Sequence, residues 1–139
     1  MVRRGAWKTV SESEWKGRLD NARAFLQAGR DLLDMAEETS IGNPIITQAI
    51  DSAIAFGDAV SIKFGRIQNA VDHRGLGKTL KTAIGARFPK EQDQRLGRLL
   101  SWKDDAHYGH RAASVNEARS AVQQAERFAE WAEAELARP

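Results

Sequence analysis

The chain has 139 residues, 42% of them hydrophobic, so it has the usual size of one domain and can bury a core. It contains no cysteine, which excludes disulfides and thiolate metal sites. No apolar run reaches the roughly 20 residues that a membrane-spanning helix needs, and no signal peptide is recognisable at the N-terminus. We therefore expect a soluble, cytoplasmic protein that makes no membrane contact.

The net charge of +2 conceals an uneven distribution along the chain. Residues 63–103 include ten lysines and arginines and three acidic residues, whereas the remainder has eleven basic and sixteen acidic residues. A basic middle segment can attract phosphate groups. The alternative is a solvated surface that serves only to keep the protein soluble.

The first ten residues show no periodicity, and we interpret residues 1–10 as a flexible arm that precedes a single domain, residues 11–139. Ser11 and Glu14 have the spacing of a capping box, which predicts a helix start. From Trp15 to Ala36, apolar residues recur at intervals of four and three, the pattern of one buried helix face.

A second helix is predicted to follow a short turn. Gly42 ends the first helix, Asn43 is a suitable N-cap, and Pro44 suits the first helical position. The apolar pattern then continues from Ile46 to Ile67. Because the connection is short, the two helices should pack antiparallel.

The segment 72–77 carries two glycines and predicts a central loop. Gly77-Lys78-Thr79 is similar to the end of a phosphate-binding P-loop, but that motif needs a glycine at position 72 and a preceding strand. We reject it on both grounds. Leu80, Ile84 and Phe88 predict a third helix over 79–88, ended by Pro89.

A fourth helix is predicted from about residue 91 to 108, closed by Gly109. Lys103 and His107 continue its apolar stripe and are therefore expected to line a cleft at the end of the bundle. Ser114 and Glu117 predict a second capping box at the start of a fifth helix. No segment alternates with period two, so the sequence predicts an all-α fold, a four- to five-helix up-down bundle.

The residues that could take part in catalysis or binding are concentrated at the junction between helices four and five. For metal-free RNA cleavage, His107 and His110 could act as general acid and general base. Lys103 could stabilise the negative charge of the phosphorane. The alternative is that His107 caps the end of the helix while His110 and Arg111 are solvated. Asp104, His107 and His110 lack an identifiable fourth ligand, so we predict no metal site.

The two long helices and the junction together resemble the HEPN (higher eukaryotes and prokaryotes nucleotide-binding) superfamily. The likeness spans about residues 15–136 and is strongest at Lys103-Asp-Asp-Ala-His-Tyr-Gly-His110 and Ser114-Val-Asn-Glu-Ala118. Ribonucleases of that superfamily carry an arginine, usually a polar neighbour, and a histidine after four to six positions. Here Lys103 stands in place of the arginine and His110 follows after six residues, while His107 follows after three.

The lysine is a significant departure, because an ammonium cannot grip two phosphate oxygens as a guanidinium does. The resemblance therefore implies a non-catalytic module that binds RNA or a nucleotide, without a cofactor. The expected contacts are Arg95, Arg98, Trp102, Lys103, Asp104, Tyr108 and Arg111.

Two alternatives remain open at this stage. One is a metal-independent endoribonuclease of toxin or defence type that uses Lys103 with His110 or His107. The other is a bundle that only binds other proteins. The resemblance also implies a homodimer and a nucleotidyltransferase-like or antitoxin partner.

Overall fold

The computed structural model describes residues 6–109 and 111–139, and these form an all-α bundle with one small two-stranded ribbon. The helices are α1 (Trp15–Met35), α2 (Asn43–Gly65), α3 (Leu76–Ile84), α4 (Lys90–Ser101), α5 (Lys103–Tyr108) and α6 (Val115–Leu136). The ribbon pairs β1 (Trp7–Thr9) with β2 (Ile67–Asn69) in antiparallel register.

The ribbon was not predicted, because strands of three residues are too short to show an alternating pattern. Trp7 lies opposite Asn69, so the described part of the predicted N-terminal arm is hydrogen-bonded to the segment that follows α2. Arg66 makes the transition from α2 to β2 in the left-handed region, with φ of 55°.

The long helix α1 begins at Trp15, four residues after Ser11, the predicted cap. A 3-10 turn (Glu12–Glu14) precedes it, and the Ser11 hydroxyl accepts from the Ser13 N–H. The N–H of Glu14 donates to the Ser11 carbonyl at 3.0 Å, so the reciprocal box is not formed.

Helix α2 is the centre of the bundle, with every residue from 52 to 62 buried. It packs most extensively on α1 and then on α6. Helix α1 ends at Met35, and not at Gly42 as predicted. Gly42 is instead the N-cap of α2, and Asn43, the predicted cap, is its first helical residue. By length and composition α2 could cross a membrane, but it is mostly buried within the bundle. Its apolar sequence is therefore explained by the core, which is consistent with a soluble protein.

Helix α3 lies along the second half of α2. It begins at Leu76 and ends at Ile84, three and four residues earlier than the predicted bounds. Gly85, with φ of 58°, ends it, a conformation that glycine adopts without strain.

The predicted fourth helix is broken into α4 and α5 at Trp102. The Trp102 N–H bonds to the Leu99 carbonyl three residues back, and the helical pattern resumes when the Ala106 N–H bonds to the Trp102 carbonyl. Trp102 and Ala106 pack on the core, and α5 contacts α2. Lys103 and His107 therefore belong to a separate short helix and not to a straight continuation of the α4 face.

Helix α6 begins as predicted, with the Ser114 hydroxyl accepting from the Glu117 N–H in a complete capping box. Its predicted inward face is buried and consists of Ala118, Val122, Ala125, Ala129, Ala132 and Leu136. Ion pairs between Arg23 and Glu133, and between Arg30 and Glu126, show that α6 runs antiparallel to α1.

Candidate functional site

The loop between α5 and α6 is fastened to the turn between α1 and α2. The Gly42 N–H donates to the Ala113 carbonyl at 2.8 Å. The Asn43 side chain donates to the Arg111 carbonyl at 3.2 Å and accepts from the Ala113 N–H at 2.7 Å. Asn43 thus holds two points of the loop, which explains why its side chain does not cap α2.

Arg111 connects this loop to both neighbouring helices. Its guanidinium donates two hydrogen bonds to the Glu117 carboxylate, at 3.0 and 2.9 Å, and lies 5.3 Å from the centre of the Trp102 ring. The hydrogen bonds from Arg111, and then the Ser114 backbone N–H, lower the pKa of Glu117 to about 2. Glu117 is therefore ionised at neutral pH and is unsuited to proton transfer there.

A groove of about 220 Å³ lies beside this cluster, between α4 and α6. Two buried residues, Leu99 and Ala121, give it an apolar floor. Polar groups and the Trp102 indole complete the lining, namely Arg98, Trp102, Glu117, Ser120 and Gln124. Pockets for drug-sized ligands have volumes of roughly 300–1,000 Å³, so this groove suits a smaller group such as one planar ring system.

The two arginines of α4 differ in their surroundings. Arg98 is exposed at the edge of the groove and forms no ion pair with a residue in the described part of the chain. Arg95 is 6% exposed, and its guanidinium donates to Gln124 at 2.9 Å and to Gln92 at 2.9 Å. Arg95 is therefore placed to fix the Gln124 amide at the groove, while Arg98 can meet a ligand.

Lys103 and Asp104 follow Trp102 directly, and Asp104 contacts a different part of the molecule. The Asp104 carboxylate accepts from the Arg74 guanidinium at 3.0 Å. Arg74 belongs to the 3-10 turn (His73–Gly75) in the central loop. Lys103 is half-buried. The Arg74–Asp104 ion pair therefore joins the central loop to α5.

Three predicted residues lie outside this description. The side chains of His107 and Tyr108, and the whole of His110, fall outside the described residues. Among the residues that the structure describes, no group of three or more histidine, cysteine or acidic side chains is placed to hold a metal ion.

The structure brings Arg98, Trp102 and Arg111 together and adds groove residues that the sequence did not single out. Ser120 and Gln124 come from α6, and only the packing of α6 on α4 places them near Trp102. Their spacing from Glu117, three and seven positions, puts them on the same side of α6 and would have been the available signal.

No protein-family model matches this chain, and no curated protein matches it at a significant level.

Proposed function

We propose that this chain is a cytoplasmic, HEPN-like helical module that binds RNA or a nucleotide through the groove between α4 and α6. The observation that carries the proposal is the composition of that groove: an apolar floor beside the Trp102 ring, with Arg98 and the Gln124 amide at its rim. A nucleobase needs a flat apolar surface and hydrogen-bonding groups at its edge, and its phosphate needs a cation.

Each part of a bound nucleotide would contact a different set of groove residues. A base would stack on the Trp102 ring above Leu99 and Ala121, with its polar edge toward Gln124. Arg98, exposed at the groove, would bind the phosphate. The basic segment 63–103 supplies the surrounding positive charge.

A binding role is favoured over cleavage by the state of the described ionisable groups. Glu117 is held ionised by Arg111 and cannot serve as a general acid near neutral pH. Lys103 offers a point charge where the related ribonucleases have a guanidinium fork. The proposal includes the homodimer and a nucleotidyltransferase-like or antitoxin partner, which the resemblance implies.

The first test is direct binding of a short single-stranded RNA and of ATP, measured by fluorescence anisotropy and calorimetry. Stacking on an aromatic ring contributes roughly 1–3 kcal/mol per base, so Trp102→Leu should weaken binding about tenfold while keeping apolar bulk. Trp131→Leu is the matched control, because Trp131 packs on Phe88 and Phe128 away from the groove. Equal affinities of wild type and Trp102→Leu would contradict the proposed groove.

The charge contribution is tested with Arg98→Gln against Arg119→Gln. Both arginines are exposed. Arg119 is on α6 but does not line the groove, and its guanidinium donates to the Asn116 side chain. Arg98→Gln should lower the affinity and reduce the dependence of log Kd on log salt by about one phosphate contact. Arg119→Gln should change both quantities little.

Two outcomes would replace the proposal. RNA fragments formed in EDTA and lost in His107→Ala or His110→Ala would show an active endoribonuclease. Failure to bind RNA or nucleotides even at low salt would favour a bundle that binds only proteins, because phosphate contacts strengthen as salt falls.

A further inference from the structure

The central loop presents Arg74 on a turn that its neighbours hold firmly. The side-chain amide of Asn69 donates to the carbonyls of Val71 and Asp72, both at 3.1 Å, and its oxygen accepts from the Thr79 hydroxyl at 3.3 Å. One side chain therefore ties the end of β2 to the loop and to the first turn of α3.

Close packing fixes the same turn further. The Asp72 carboxylate accepts from the Arg74 N–H at 3.0 Å. A Cβ added at Gly75 would lie 2.5 Å from Val71 Cγ2, and one added at Gly77 would lie 2.7 Å from a carboxylate oxygen of Asp93 on α4. The loop backbone thus fits tightly against its own start, and the first turn of α3 lies close to the Asp93 side chain of α4.

The Arg74 side chain itself is held only by a weak contact. Its guanidinium is 3.0 Å from the Asp104 carboxylate, with the two side chains 71% and 70% exposed. Ion pairs as exposed as this one contribute little to stability, because water screens them. A phosphate can accept two parallel hydrogen bonds from a guanidinium and can therefore replace the carboxylate.

The position of the Arg74–Asp104 pair relative to the groove decides which kind of ligand could contact both. Trp102 directly precedes α5 and Asp104 is its second residue, so these two side chains, two positions apart, lie on different sides of the chain. Trp102 faces the groove on α6, whereas Asp104 faces the central loop. A base beside Trp102 and a phosphate at Arg74 are thus on opposite sides of α5.

We propose that Arg74 binds the phosphate of a neighbouring nucleotide, so that the preferred ligand is a single-stranded RNA crossing α5 and not a mononucleotide. This inference rests on the proposed function of the groove. In the absence of RNA, Asp104 holds Arg74 beside α5. The RNA backbone takes the place of the Asp104 carboxylate when it binds.

The experiment compares a short single-stranded RNA with AMP on the full chain. Arg74→Gln should weaken RNA binding about tenfold, since hydrogen bonds to charged groups are among the strong ones. AMP binding should stay within twofold of wild type. Lys78→Gln removes the same charge from an exposed position on α3, and it should weaken RNA binding only slightly.

A double-mutant cycle tests the exchange of partners. Asp104→Asn should strengthen RNA binding when Arg74 is present and should have a much smaller effect in the Arg74→Gln background. An equal effect in both backgrounds would mean that Asp104 acts only through its overall charge, and the proposed exchange would be wrong.

The outcomes separate this inference from the proposed function. If wild type binds neither RNA nor AMP, both proposals fail. If Trp102→Leu weakens binding but Arg74→Gln behaves like Lys78→Gln, the groove stands and the second contact is wrong. Equal losses of RNA and AMP affinity in Arg74→Gln would also overturn the two-sided arrangement.

Discussion

Replacing Asn43 by alanine should loosen the loop that carries Arg111. The substitution removes the acceptor for the Ala113 N–H, and Ala113 is 5% exposed. An unsatisfied buried N–H costs roughly 1–3 kcal/mol. The Arg111 carbonyl also loses its donor, but water can replace that donor because Arg111 is exposed.

The net change in the free energy of unfolding combines this cost with the higher helix propensity of alanine. Alanine is the better helix former and returns up to about 0.7 kcal/mol at the first position of α2. We therefore expect a loss of about 1.5 kcal/mol. For a domain of this size, that loss should lower Tm by about 6 °C. Circular dichroism during thermal unfolding measures the shift, and RNA affinity should fall as well because Arg111 lies on the displaced loop.

Two further variants test whether the Asn43 side chain stabilises the loop. Asn43→Asp keeps an oxygen acceptor for the Ala113 N–H and should lose much less stability than Asn43→Ala. Asn116→Ala removes an exposed asparagine whose side chain meets only the Arg119 guanidinium among described partners, so it should change stability by less than about 0.5 kcal/mol. An Asn43→Ala protein as stable as Asn116→Ala would refute the role assigned to the amide.

Four other predictions concern packing and titration. In urea unfolding, Gly42→Ala should cost about 1–3 kcal/mol, because its Cβ would lie 2.4 Å from the Ser114 carbonyl oxygen. Gly17→Ala, with open space around it in α1, should stabilise by up to about 1 kcal/mol. Burial raises the pKa of Asp58 although Arg18 forms an ion pair with it at 2.7 Å, so wild type should gain stability relative to Asp58→Asn as pH falls from 7 and Asp58 is protonated. Because the pKa of Glu117 falls from its ordinary 4.5 to about 2, its stabilisation should be present above pH 4.5, be lost as pH falls towards 2, and be missing in Glu117→Gln.

The outcomes that would contradict these predictions are distinct. Gly42→Ala and Gly17→Ala with equal stabilities would mean that the close approach at Gly42 relaxes without cost. A constant difference between Asp58→Asn and wild type across the acidic range would show that burial does not dominate at Asp58. Wild type and Glu117→Gln losing stability in parallel below pH 4.5 would assign the acid sensitivity to other carboxylates.

The elements that the sequence predicted well depend on neighbouring residues. The capping box of Ser114 and Glu117 and the start of α2 beside Pro44 are local features, because the groups that satisfy a helix end lie within a few positions of each other. The end of α1 was predicted wrongly, since α1 ends at Met35 and not at Gly42. The buried faces of α1 and α6 follow equally from their spacing.

The features that it missed depend on packing between distant segments. The break at Trp102 follows from α5 turning toward α2, and spacing within α4 carries no information about that turn. The pair of Arg74 and Asp104 joins residues thirty positions apart. The Gln124 side chain is held at the groove by a hydrogen bond from Arg95, which lies on another helix. The roles of His107, Tyr108 and His110 stay predictions.

The burial of α2 has a consequence for how the molecule opens. Since α1, α3, α5 and α6 all pack against this helix, its backbone amide protons can meet solvent only when several neighbours separate together. Deuterium uptake should therefore be slowest across residues 52–62 and faster in the short ribbon at the surface. A substitution that weakens α2 would raise the exchange rate of every helix packed on it, including the α6 wall of the groove.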